Sequence, residues 1–184
     1  MIYPIIIYGM PVLRKETEPV AMDTPELNQL VSDMFDTMYS ANGVGLAAPQ
    51  IGKSLRLFVI DASPYGDDDS SLADFKKAFI NADIYERSQE TIHMEEGCLS
   101  FPKLYETVNR SKSIKIRYTD ENGIEHDEEY SGMAARIIQH EYDHVEGIVF
   151  VDHLSPLRKT LIKSKLNNFA KGKFSASYKC KSAK

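Results

Sequence analysis

Hydrophobic residues recur at helical spacing in three stretches of the chain. Leu27, Leu30, Val31, Met34, Phe35 and Met38 fall at i, i+3, i+4, i+7, i+8 and i+11, a single apolar stripe on a helix. Asp23 or Thr24 is the expected cap, Pro25 suits a first turn, and Asn42-Gly43 should end the helix. Met133, Ile137, His140 and His144 repeat the spacing in a helix expected over about 131–146, with Gly147 as its stop. Ser155-Pro156 opens a third helix, in which Leu157, Leu161, Ile162, Leu166 and Phe169 are expected to form one apolar face.

Between the helices the pattern is that of strands. Ile5 to Ile7 suits a short strand, Arg56 to Asp61 a buried one, and Ala78 to Asn81 another. Residues 83–93 alternate loosely. Ser113 to Tyr118 alternates strictly, and Asp120-Glu121-Asn122-Gly123 is a turn leading into Ile124 to Tyr130, a half-exposed antiparallel hairpin. The Ser-, Gly- and Asp-rich run at 62–74 reads as an exposed acidic loop.

Composition narrows the class. A chain of 184 residues, 42% hydrophobic and 27% charged, is long enough for one domain with a proper core. The apolar start, Met1 to Gly9, is short and lacks a basic lead, so no signal peptide is expected. No run approaches membrane-spanning length. The two cysteines, Cys98 and Cys180, lie in unlike settings and suggest no disulfide framework. A cytoplasmic protein is the expectation.

Candidate chemistry centres on Gln139-His140-Glu141-Tyr142-Asp143-His144. Four residues apart on a helix, His140 and His144 share a face and can grip one metal ion. Glu141 projects beside them toward a water rather than the metal. Cys98, within Glu95-Glu96-Gly97-Cys98-Leu99-Ser100, would be a third ligand, leaving the open position that a catalytic metal requires. Gly43-Val44-Gly45 lacks the further residues of a nucleotide-binding loop. His93, His126 and His153 read as surface residues.

Three stretches in this order, Gly43-Val44-Gly45-Leu46-Ala47-Ala48-Pro49-Gln50, Glu96 to Ser100 and Gln139 to His144, resemble the peptide deformylase family. The resemblance implies an α+β fold with antiparallel β-strands packed around a central metal-binding helix and with N- and C-terminal helices. It implies a hydrolase that removes the formyl group from the N-terminal formyl-methionine of nascent peptides. Cys98, His140 and His144 would hold one divalent metal, Fe2+ natively, with Zn2+, Ni2+ or Co2+ as substitutes. Glu141 would move the proton, and the Gln50 amide and Leu99 N–H would stabilise the oxyanion. The Gly43, Val44 and Gly45 backbone would line the peptide, and Val44, Ile137 and His140, with Met133, would wall the methionine pocket. Arg136 departs from the apolar residue expected in that helix turn, and should shape the pocket rim or face solvent. A zinc endopeptidase would take its third ligand downstream, where only His153 and Cys180 stand, and a structural metal site would need four ligands.

The expected domain plan is one catalytic domain at 1–170 and a basic, disordered tail at 171–184. From Arg158 to Lys184 there are nine basic residues and no acid, in a chain with a formal charge of −5. That asymmetry has two readings, a packed helix with a solvated Lys face and a floppy tail, or a ribosome contact through this segment; no membrane partner is expected.

Overall fold

The protein, described here by a computed structural model, is resolved into elements over residues 1–183, and the expectation for Lys184 lies outside the described residues. In chain order come β1 (Ile5–Ile6), α1 (Leu27–Ser40), β2 (Gly45–Ala47), β3 (Leu57–Asp61), β4 (Lys76–Arg87), β5 (Thr91–Cys98), β6 (Phe101–Ser111), β7 (Ser113–Thr119), β8 (Glu125–Ser131), α2 (Gly132–Val145), α3 (Pro156–Ala170) and β9 (Cys180–Lys181). Strands β2-β3-β4-β7-β8 form an antiparallel sheet, β5 and β6 an antiparallel ribbon, and β1 pairs with β9 in parallel. The class is α+β, as expected.

The chain folds this way because β3 is apolar on both faces. Leu57 and Val59 join the core that holds the α1 residues Val31, Met34 and Met38. Phe58 and Ile60 join a second core with Phe79, Ile116 and the α2 residues Ala135, Ile137 and Ile138. Alternate residues of a strand point to opposite sides, so a continuous apolar run serves two layers at once. Every residue of α2 from Ala134 to Val145 is buried, its polar ones included.

Three expectations are corrected, and one strand was not foreseen. The α1 stripe is as expected, but the helix begins at Leu27 without a side-chain cap; the Thr24 hydroxyl instead donates to the Ala21 carbonyl. The helix ends with Asn42 in a left-handed conformation (φ 56°), as expected of that pair. The α3 face is split: Ile162 and Phe169 are buried, whereas Leu157 and Leu161 are exposed. At 3.6 residues per turn the Leu157–Leu161 pair stands about a third of a turn from the Ile162–Leu166–Phe169 stripe, so one surface does not cover both. Ser155 caps this helix, accepting from the Arg158 N–H.

β6 was not foreseen. Its inward positions include Leu104 and Val108 but also Glu106 and Arg110, and buried charges hide the alternation that marks a strand. The tail expected to be disordered is ordered through Lys181. Ile5 N–H donates to the Lys179 carbonyl (2.8 Å) and Ile7 N–H to that of Lys181 (2.9 Å). Phe174, Tyr178 and Cys180 pack on the core. The Lys- and Ser-rich composition conceals a period of two: Phe174, Ala176, Tyr178 and Cys180 are half-buried, and the residues between them are exposed.

Candidate metal centre

Three elements meet at one point. β5 ends in Cys98, α2 presents His140 and His144 on one face, and the turn after β2 carries Gln50. Cys98 Sγ and one ring nitrogen from each histidine lie within 4.8 Å of one another. Cys98 Sγ is 3.3 Å from His144 Nε2. Sulfur and nitrogen donors bound tetrahedrally to one ion stand about 3.3–3.7 Å apart; the Cys98–His144 pair meets that range, and a thiol with two imidazoles is a donor set that suits a divalent metal.

Each donor is held from behind. His140 Nδ1–H donates to Glu96 Oε2 at 2.8 Å, which leaves Nε2 as the free nitrogen. Glu96 is buried and accepts from Arg110 Nε (2.6 Å) and Nη2 (3.0 Å) and from Arg136 Nη1 (2.8 Å). Arg110 Nη1 donates on to Asp143 Oδ2 at 2.7 Å, the residue before His144, and His153 Nε2 meets the same oxygen at 2.7 Å. Burial acts to raise the Glu96 pKa, but the hydrogen bonds from His140 and Arg110 outweigh it and hold the carboxyl far below its usual range. Arg136 therefore does not face solvent: it is buried, with further hydrogen bonds to the Val108 and Ile92 carbonyls. His153 is exposed, as expected of a surface residue, and joins this network at its edge. Nothing in the sequence pairs Glu96 with Arg110, because strand partners and helix turns come together only in the fold.

Burial opposes charge on His140, yet its contacts with Cys98 and Glu96 outweigh this and raise its pKa well above the ordinary imidazole value. His144 is pushed down to about 3, chiefly by burial, and its Nδ1 has no hydrogen-bond partner among the described residues.

Glu141 sits on the same turn, fully buried, with Oε2 unpartnered. Burial pushes its carboxyl up to about 7, with His140 acting in the opposite sense. A carboxyl in that range gives and takes protons near neutral pH. It packs directly on Gly45, where a Cβ would come within 2.8 Å of Glu141 Cγ, so the backbone approaches only because residue 45 has no side chain. Gln50 is buried, and its amide is oriented by Ala47 N–H donating to Oε1 (2.9 Å). Nε2 then faces Ser100 Oγ (3.2 Å) and Cys98 Sγ (3.5 Å).

Two cavities open from this centre. The larger, about 450 Å³, runs between Ala41–Gly45 on one side and Gly97–Leu99 with Phe101–Tyr105 on the other. The smaller, about 130 Å³, is lined by Val44, Tyr65, Met94, Met133, Arg136 and Ile137, among others. His140 and Glu141 line both. Every residue singled out in the sequence for chemistry thus comes to one place.

The model of the polypeptide deformylase family matches residues 2–160. The chain belongs to that family. It is 52% identical to the peptide deformylase of Christiangramia forsetii over 97% of this chain and 95% of that one. Among solved structures it resembles the peptide deformylase of Thermus thermophilus (TM-score 0.82, 39% identity, 94% and 99% of the two chains). It also resembles that of Legionella pneumophila (TM-score 0.80, 40% identity, 93% and 96%). In this member of the family the Glu96–Arg110–Asp143 network supports the candidate ligand set from behind. Replacing Arg110 with Leu takes the guanidinium from the buried Asp143 and leaves Glu96 with Arg136 and His140 alone. The loss in unfolding free energy, measured by urea denaturation, is expected to be about 3–5 kcal/mol.

Proposed function

We propose that the protein is a metal-dependent hydrolase that removes the formyl group from the N-terminal formyl-methionine of newly made polypeptides. The observation that carries this reading is the convergence of one thiol and two imidazoles beside an unpartnered, buried carboxyl, in a member of the deformylase family. Cys98, His140 and His144, on a metal-binding helix packed among the strands, would hold the ion. Bound there, a divalent metal supplies Lewis acidity toward the formyl carbonyl and makes water a stronger acid. Fe2+ is the proposed native occupant, with Zn2+, Ni2+ or Co2+ as alternatives that suit the same donors.

The chain's own residues do the rest. Glu141 takes the proton of the attacking water and passes it to the departing amine, so that one water and one formamide become formate and a free α-amine. The Gln50 Nε2–H and Leu99 N–H donate to the oxygen on which charge develops. β2 is an edge strand, and an extended peptide would lie along its outer side at Gly43-Val44-Gly45, where the Gly43 N–H and the Val44 carbonyl are already bonded to Met38 and Asp61. The methionine side chain enters the 130 Å³ cavity past Val44, Met133 and Ile137, with His140 at its base and Arg136 at its rim. The whole chain through Lys181 is proposed as one catalytic domain. A cytoplasmic location suits this substrate; among the described residues no helix is long and apolar enough to cross a membrane.

Formate release from formyl-Met peptides, assayed on protein purified without oxygen and analysed for metal, tests the reading. Formyl-Met substrates should exceed formyl-Asp or formyl-Lys by about a hundredfold in kcat/KM, since a charged side chain loses its hydration in that cavity. Equal values would remove the pocket assignment. Cys98→Ser, His140→Ala and His144→Ala should each lose stoichiometric metal after gel filtration. Glu141→Gln should keep the metal and lose about 10²–10⁴-fold in kcat. Near-normal turnover in that variant would require a different base.

The basic segment is proposed to dock on the RNA-rich particle from which the substrate emerges. Lys171, Lys173, Lys179 and Lys181 are exposed. Changing these four to Gln should weaken co-sedimentation with ribosomes and flatten its salt dependence, with formate release from a short peptide retained. Identical binding at low salt would refute the contact.

A further inference from the structure

The C-terminal segment does more than carry charge. Ala176, Ser177 and Tyr178 line the 450 Å³ cavity. None of the three lines the 130 Å³ cavity assigned to the methionine side chain. The two cavities share Val44, Tyr65, Gly97, His140 and Glu141 in their walls. A peptide with its first side chain in the smaller cavity therefore has its later residues in the larger one. The segment is held there on both sides. β9 follows it and pairs with β1, and Lys103 Nζ, from the facing wall, donates to Ser175 Oγ at 2.8 Å.

Tyr178 makes a second connection. Its hydroxyl donates to the Leu99 carbonyl at 2.7 Å, while Tyr8 N–H donates to the Ser100 carbonyl at 3.0 Å. Between them these bonds fix the turn that joins Cys98 to β6. That turn includes the Leu99 peptide, whose N–H faces the reacting oxygen in the proposed reaction.

We propose that Ala176–Tyr178 is a wall of the peptide cleft that selects the substrate residues following the formylated one, with Tyr178 as the positioning residue for Leu99. This rests on the deformylase reading. Two full-chain variants test it, each against formyl-methionine amide and a formyl-Met tripeptide. Ser177 is exposed, so Ser177→Trp changes the wall without emptying the core. The ratio of kcat/KM for tripeptide over amide should fall about fivefold or more, mainly through KM for the tripeptide. This ratio cancels any loss of active protein. Tyr178→Phe keeps the ring and removes the hydroxyl. Its kcat per bound metal should fall about three- to tenfold on both substrates, with KM nearly unchanged. A tripeptide-to-amide ratio within about twofold of the parent in Ser177→Trp overturns the wall. A parental kcat in Tyr178→Phe overturns the positioning role. If the parent protein releases formate from neither substrate, the deformylase reading itself fails and this inference falls with it.

Discussion

The geometry of the candidate metal ligands depends on one buried ionic cluster. The thiol of Cys98 belongs to the β5–β6 ribbon and the imidazoles of His140 and His144 to α2, and no covalent neighbour fixes one relative to the other. Glu96, two residues before Cys98, and Asp143, one before His144, share the guanidinium of Arg110. Burying three charges has a large desolvation cost, and such a cluster is favourable only when its hydrogen bonds are met. Glu96 meets that condition: its two oxygens accept from Arg110 twice, from Arg136 and from His140. The cluster thus sets the distance between ribbon and helix and, through the Glu96–His140 bond, the orientation of one ligand.

A second constraint is steric. The Glu141 carboxyl is buried because the Gly45 backbone lies against it, and β2 sits there because β3, apolar on both faces, binds it to the sheet and to both cores. The raised pKa of Glu141 follows from that enclosure. The glycine of the first motif and the glutamate of the third are two sides of one contact, though they lie far apart in the chain. Chain ends complete the site in the same manner. The short β1–β9 pairing brings residues 176–178 to the wall of the larger cavity, so a segment of tail composition lines it.

The sequence by itself determined the candidate chemistry. Its histidines stand one helical turn apart, its cysteine and glutamine lie in recognisable stretches, and its apolar stripes mark α1 and α2. These signals are local: spacing along one element fixes which side chains share a face. The tertiary structure alone decided what supports them. Arg136 was legible as an exception but not as a partner of Glu96; Arg110 and Glu106 disguised the strand they occupy; Thr24 yielded the helix start to a local turn; and the paired tail looked like a disordered one. For the buried charges and the tail the deciding partner is distant in sequence, Glu96 for Arg136, Arg158 for Glu106 and Ile5 for Lys179. A buried charge or a two-residue strand becomes favourable only when that partner is present, and composition and periodicity carry no record of it.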